Sequence, residues 1–181
     1  AQENNLNPDE KAATVPAISI TRLPDSVGMN EKIGVRWEIK SAEALTATHT
    51  AIHYDTFSHE GTFTAETNPQ QAGYSNLTAE FAAGEFPLPG QFVANLAFPP
   101  EAETIYLRAH VLIGGKNYWT EEKKVGVTRS GCQYNAPACK EDYNCVNNAC
   151  VLKPGCAYQN PACSSGYRCE ENQCVVVRGG G

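Results

Sequence analysis

The sequence contains no apolar run of about 18 residues, so nothing in it predicts a membrane-spanning helix. It also lacks a basic cluster that would follow a phosphate backbone, and its net charge is -6. Nucleic acid is therefore not an expected partner. No Gly-x-Ser-x-Gly elbow, phosphate-binding glycine loop or His-Glu-x-x-His motif occurs. We expect no enzymatic activity and no cofactor.

Cysteine is absent from the first 131 residues, yet all 8 cysteines fall within the last 50. They form two groups of four with the same internal spacing, and the second group repeats the first at an offset of 24 residues. The first group is Cys132, Cys139, Cys145 and Cys150; the second is Cys156, Cys163, Cys169 and Cys174. A segment this small and polar cannot bury enough apolar surface to fold unaided, so it needs cross-links or a metal.

Disulfides explain these groups better than a metal does. Structural zinc sites place their ligands in closely spaced pairs, and only the last two cysteines of each group are near enough to form one. The tail also has no histidine. Four cysteines allow three pairings. We expect the first to bond the third and the second the fourth, since the short separation of the last two disfavours, without excluding, their direct pairing.

Disulfides persist outside the cytosol, so we expect a secreted or surface-displayed protein. The start, Ala-Gln-Glu-Asn, would suit a mature chain left by signal cleavage. Asn76-Leu77-Thr78 is a sequon, which makes Asn76 a candidate glycosylation site; an unused tripeptide is the competing interpretation.

The remaining sequence predicts an all-β body followed by the stapled tail. We expect an antiparallel β-sandwich with a C-terminal tandem of small disulfide-stapled modules. The expected boundaries are 1–13 for a polar N-terminal tail, 14–129 for the sandwich, 131–152 and 155–176 for the two cysteine-rich repeats, and 177–181 for a flexible end.

Alternating apolar residues locate the strands of the sandwich. Apolar side chains occupy every second position from Ile33 to Ile39 and again from Ile105 to Ile113. Gly114-Gly115 then predicts a two-residue hairpin, with a return strand over 117–127. Shorter strands are expected over 17–23, 45–54 and 92–98, and no stretch has convincing helical periodicity.

Trp37 on an early strand and the long final hairpin resemble a fibronectin type III or immunoglobulin-like domain over residues 14–129. The sequence departs from that family where an inward tyrosine is usual, because Ile105 has the apolar register and Tyr106 points the other way. The pattern in GCAYQNPACSSGYRCEENQCV resembles four-cysteine modules of secreted proteins, including microbial surface proteins. The resemblance implies a disulfide framework and no particular function.

The four histidines all lie in the sandwich: His49, His53, His59 and His110. His49 and His53 share one face of a strand, but about 13 Å apart at 3.3 Å per residue, which is too far to chelate one ion. A site would need His59 or His110 to approach from a neighbouring segment. We therefore assign no metal site and expect surface or partly buried histidines in hydrogen bonds.

Two further groups of residues are candidates for a surface role. Tyr118, Trp119 and the tail tyrosines Tyr134, Tyr143, Tyr158 and Tyr167 form a candidate binding platform, although packing of the small modules is the favoured interpretation. Glu121-Glu122 beside Lys123-Lys124 suggests a solvated strand edge with self-compensating charge.

The function expected from this pattern is that of a non-enzymatic extracellular structural protein, a subunit of a surface filament or an adhesion stalk. Residues 1–20 and Val175–Arg178 are candidate segments for adding a strand to a neighbouring copy, which would make a homo-oligomer or homopolymer. The alternative is a monomeric secreted module that binds a glycan or a protein. A histidine-based metal-binding or redox domain is the third interpretation.

Overall fold

A computed structural model describes residues 15–177. The expected polar tail over 1–13 lies outside these residues, as do most of the flexible end and the first part of the N-terminal strand-donating segment. The described chain divides into two compact units between Thr128 and Arg129.

Over its described residues, the first unit has ten strands and one short helix. The strands are β1 Ala17–Arg22, β2 Ser26–Gly28, β3 Ile33–Lys40, β4 Leu45–Asp55, β5 Asn76–Leu77, β6 Phe86–Leu88, β7 Gly90–Leu96, β8 Thr104–Ile113, β9 Lys116–Trp119 and β10 Lys123–Thr128; helix α1 is Pro69–Ala72.

These strands form two sheets. The smaller sheet has the order β1-β3-β7, and the larger has β2-β10-β8-β4-β5, with β6 also pairing β4 and β9 also pairing β8. The pairings within the first unit are antiparallel except for β2 with β10, which is parallel. The all-β sandwich expected from the sequence is therefore confirmed.

The core lies between the two sheets and follows the alternation in the sequence. On β3 the odd positions from Ile33 to Ile39 are buried, and on β8 the same holds from Ile105 to Ile113. Trp37 is fully buried, stacks on Phe92 at 5.6 Å and donates a hydrogen bond from Nε1 to Thr50 Oγ1 at 2.9 Å. The indole thus ties the small sheet to the large one.

Two local features differ from the sequence-based expectation. The return strand breaks at residues 120–122, so β9 and β10 pair separately with the two halves of β8. Helix α1 is a single turn closed by a capping box between Asn68 and Gln71, and it ends at Gly73 with φ 79°. One turn is too short to produce a periodic apolar pattern, which explains why the sequence does not reveal it.

The second unit contains the two stapled modules, called here the first module (131–152) and the second module (155–176). Each has a short 3₁₀ turn, Cys132–Tyr134 or Cys156–Tyr158, followed by a two-stranded hairpin. The hairpins are β11 Tyr143–Val146 with β12 Ala149–Leu152, and β13 Tyr167–Glu170 with β14 Gln173–Val176.

Four disulfides close the modules. They join Cys132 to Cys145, Cys139 to Cys150, Cys156 to Cys169 and Cys163 to Cys174. Among the described residues no cysteine is free. Cross-links of this kind stabilise a small polar fold by restricting its unfolded chain.

An asparagine at each hairpin tip fixes the start of its own module. In the first module, Asn148 donates from Nδ2 to Ser130 O at 2.8 Å and accepts at Oδ1 from Gln133 N at 3.0 Å. Asn172 makes the matching pair of bonds to Pro154 O and Ala157 N, both at 3.0 Å. Gly131, directly before Cys132 in the first module, must lack a side chain, because a Cβ there would lie 2.1–2.4 Å from the Asn148 amide.

We expect Gly131→Ala to prevent formation of the native disulfides in the first module only. The added methyl group would displace Asn148, and the positive φ of 104° is strained for alanine. The expected loss is about 2–4 kcal/mol for that module. Peptide mapping after oxidative refolding should show scrambled bonds at Cys132 and Cys139 and native bonds in the second module.

Gly166→Ala is the matched control for this substitution. Its φ is also positive, at 87°, but no atom lies within 4 Å of the new Cβ. It should cost only about 1 kcal/mol and leave all four bonds native. Equal damage from both substitutions would contradict the role given to Asn148.

Candidate metal centre

Pairing between β4 and β8 brings three histidines to one place on the large sheet. His49 and His53 lie on β4, and His110 on β8 pairs in register with Ala51, midway between them. One ring nitrogen from each of the three can be chosen so that all lie within 4.8 Å of one another. These three residues are called the histidine trio below.

The expectation that His49 and His53 are too far apart to share an ion is wrong. Their Nε2 atoms are 3.5 Å apart and their ring centroids 5.7 Å. The estimate of about 13 Å applies to the backbone positions. Because the intervening Ala51 carries only a methyl group, the two rings reach towards each other above it.

The trio is also more buried than expected. His53 and His110 are each 1% exposed, and only His49 is partly accessible. The sequence-based expectation of surface or partly buried histidines is therefore corrected for these two. The fourth histidine, His59, lies apart from the trio and pairs with Asp55 at 3.2 Å.

Hydrogen bonds to the far side of two rings determine where their lone pairs point. His49 Nδ1 is 2.7 Å from Ala82 O, and since a carbonyl only accepts, Nδ1 carries the proton and Nε2 the lone pair. His110 Nε2 is 2.9 Å from Asn117 Oδ1. The Asn117 amide is oriented by donation from its Nδ2 to Ala65 O at 3.2 Å. His110 Nδ1 is therefore the free nitrogen.

That free nitrogen is buried without a partner. Among the described residues, His110 Nδ1 has no hydrogen bond. A buried acceptor left unpaired costs roughly 1–3 kcal/mol. Histidines that bind metals show the same arrangement, with one ring nitrogen held by a carbonyl or carboxamide and the other aimed at the ion.

Burial keeps two members of the trio, His53 and His110, neutral. Desolvation, helped by the nearby His110 and His49, lowers the pKa of His53 to about 3. Desolvation also lowers the pKa of His110 to about 4, although the hydrogen bond with Asn117 opposes this. Both rings are neutral at physiological pH, which is the form that donates a lone pair to a metal.

Aromatic side chains cover the trio on its outer side. Trp119 stacks on His110 with ring centroids 4.0 Å apart, and it lies 5.0 Å from the ring of His53. Phe63 packs edge-on against Trp119 at 5.2 Å. Trp119 Nε1 donates to Thr67 O at 2.8 Å, which anchors the connection between β4 and β5 over this face. The cover reduces solvent access to the rings of His53 and His110.

Arg108, on strand β8, also holds the connection between β4 and β5. It pairs in register with His53, is 6% exposed, and donates to Thr120 O at 3.0 Å and to Gly61 O at 2.9 Å. Its guanidinium also stacks on the ring of Phe63 at 4.3 Å. A buried cation is therefore held beside the trio.

The sequence suggested that Glu122 is a solvated strand-edge residue, and the structure corrects this. It accepts hydrogen bonds from Tyr74 Oη at 2.6 Å, from His59 N at 2.8 Å and from Ser58 Oγ. Burial alone would raise the pKa of Glu122, but these bonds, together with the charge of Arg108, lower it below its usual value. The carboxylate thus holds the 56–75 connection against the sheet.

The other candidates from the sequence are placed as follows. Asn76 is exposed on β5, whereas Thr78 of its sequon is buried and its Oγ1 accepts from Ile52 N at 3.0 Å. Tyr143 and Tyr167 are 38% and 48% exposed on equivalent strands of the two modules. Tyr134 and Tyr158 are partly buried.

The cysteines also form two close groups of three, one per module. Every member of these groups is in a disulfide, so none offers a thiolate to a metal. Within residues 15–177, no helix has the length and apolar character needed to cross a bilayer.

Comparison with protein-family models, curated proteins and solved structures found no match for the chain.

We expect Glu122→Gln to destabilise the sandwich by about 1–2 kcal/mol at neutral pH, because charge-assisted hydrogen bonds are replaced by neutral ones. A carboxyl whose pKa is lowered on folding stabilises the fold above its unfolded pKa, and this contribution is lost as the pH falls through the folded value. The difference from wild type should therefore shrink below about pH 4.5. Urea unfolding at several pH values measures it.

Glu121→Gln serves as the control, since Glu121 is the exposed neighbour. It should change stability by less than about 0.5 kcal/mol. A Glu122→Gln difference that stayed constant from about pH 7 to about pH 3 would contradict the charge-assisted bonding.

Proposed function

We propose that the chain is an extracellular protein whose β-sandwich binds one transition-metal ion through His49, His53 and His110. The observation that carries the proposal is the convergence of three imidazole nitrogens within 4.8 Å in a buried site. Imidazole is a common ligand of zinc, copper, nickel and iron.

The distance between His49 and His53 suits a single ion. Two nitrogens bound to one metal at about 2.0–2.1 Å lie about 3.3–3.6 Å apart. The His49–His53 separation of 3.5 Å already falls in this range. The outer bonds to Ala82 O and Asn117 Oδ1 supply the orientation that ligating histidines require.

A purely structural role for the trio does not explain why one of its buried ring nitrogens has no partner. Core histidines normally satisfy both ring nitrogens with hydrogen bonds. One bond between His49 and His53 at 3.5 Å uses one pair of nitrogens and leaves His110 Nδ1 unpartnered. An ion at the centre would satisfy all three nitrogens at once.

The extracellular setting is part of the proposal. Four disulfides in the second unit are typical of proteins from an oxidising compartment. The two-sheet core around Trp37 supports the proposal that the first unit is a fibronectin type III or immunoglobulin-like domain.

A second candidate function is a structural one, as a filament subunit or an adhesion stalk. Equivalent exposed apolar residues on the two modules, Tyr143 and Tyr167, favour it, because repeated exposed aromatics provide repeated contact points. A monomeric module that binds a glycan or protein through the same tyrosines is the alternative.

For the metal proposal, the chelator-treated full chain should bind one equivalent of at least one of Zn(II), Co(II), Cu(II) or Cu(I). A ligand at 100 times its Kd stabilises the folded state by about 2.7 kcal/mol, so the Tm should rise by about 10 °C. Elemental analysis after gel filtration and thermal unfolding followed by circular dichroism measure the two effects.

His49→Gln and His53→Gln should abolish both effects, whereas His59→Gln, in the same domain but outside the trio, should retain them. Because His49 is partly accessible, its substitution is the less disruptive of the two. Stoichiometric binding that survives both trio substitutions, or wild type that takes up none of these ions, would refute the proposal.

The structural role predicts large particles. Light scattering and electron microscopy of native material should show polymers far heavier than the 19.6 kDa chain, and Tyr143→Ser with Tyr167→Ser should shorten them. A monodisperse particle near the chain mass would remove this candidate and favour the monomeric binding module.

A further inference from the structure

The ligands of the histidine trio bring no negative charge to the site. An imidazole that binds a metal does so through the lone pair of its neutral form, and no carboxylate belongs to the group. The cation nearest in register, Arg108, lies opposite His53 on the adjoining strand. A bound ion would therefore keep its full positive charge.

Asp55 and Glu122, two carboxylates on this side of the sheet, already have other partners. Asp55 accepts from Thr56 N at 2.8 Å and from Ser75 N at 3.0 Å, and pairs with His59. Glu122 accepts from the 56–75 connection. Neither is available to compensate an ion at the trio without losing these bonds.

Charge without compensation favours a monovalent ion. The cost of moving an ion from water into a low-dielectric interior rises with the square of its charge, so a divalent ion costs about four times as much as a monovalent one. With His53 and His110 each 1% exposed, solvent does little to offset this difference.

The number of donors points the same way. Zinc in proteins is almost always four-coordinate, with a fourth protein ligand or a water. The trio supplies three nitrogens, and Trp119, packed against Phe63, covers His53 and His110. Cuprous copper, with a filled d shell and a single charge, is stable with two or three nitrogen donors. The Trp119 ring beside His53 and His110 adds a polarisable π face that attracts a cation.

We infer that the ion held by His49, His53 and His110 is copper in the cuprous state, bound by three nitrogens. The inference rests on the proposed metal-binding function and goes beyond it by naming the ion. It assigns the sandwich a role in holding Cu(I) rather than in zinc-dependent structure or hydrolysis.

Competition titrations under anaerobic conditions test the inference. The metal-free full chain is titrated with Cu(I), kept reduced by ascorbate, against bathocuproine disulfonate. Zn(II) is titrated in the same buffer against a chromophoric zinc chelator. We expect one equivalent of Cu(I), bound at least about 100-fold more tightly than Zn(II). Mass spectrometry of the same samples checks that all four disulfides remain intact.

Variants and spectroscopy separate the possible outcomes. His49→Gln and His53→Gln should each weaken Cu(I) binding by at least about 100-fold, whereas His59→Gln should leave it unchanged. X-ray absorption should show a shell of three nitrogens. Equal or tighter Zn(II) binding, or a four-ligand shell, would overturn the cuprous assignment and leave the metal proposal standing. Uptake of no ion at all would overturn both.

Discussion

The pairing of β4 with β8 is the constraint on which the sandwich and its candidate site depend. Its register sets Ala51 against His110 and so centres the third histidine between the other two. The register is also fixed in the core, where Thr50 Oγ1 donates to the carbonyl of His110 at 2.8 Å and accepts from Trp37. A slip of one residue would turn the histidines into the core and expose Ile52. The same pairing therefore determines both the packing and the chemistry.

Local patterns explain why much of the fold could be read from the sequence. Strands β3 and β8 are half-buried, so their apolar residues alternate, and Gly114-Gly115 supplies the positive φ values of a tight hairpin. The contacts that define the modules are even closer in sequence, since each disulfide joins cysteines 11 or 13 positions apart and the cysteine pattern repeats at a fixed offset. Structural features that depend on residues close in sequence can be recognised from the sequence.

The site left no such signal, because it depends on pairs distant in sequence. His110 is 57 positions beyond His53, and only the sheet register brings them together. Spacing along one strand also predicts a misleading distance, because it leaves out how far two imidazoles reach over a small residue. The sequence mispredicts Glu122 for a similar reason. Its partners, Ser58, His59 and Tyr74, belong to a connection whose path over the sheet no local pattern reveals. The sequence offers one clue to the site: His110 lies on the face of β8 opposite the apolar residues from Ile105 to Ile113.

The covered histidine face is costly for the protein without a ligand. The outer face of a sandwich sheet is usually solvated, and there a histidine would be free to protonate. Here the 56–75 connection, held by Glu122 and Arg108, closes over the face and leaves His110 Nδ1 unpaired. Valine or leucine at the same positions would pack without this cost. Three polar rings do little for folding, but two of them are oriented by outer hydrogen bonds and two are shielded by Trp119, so together they meet the requirements of a metal ligand set.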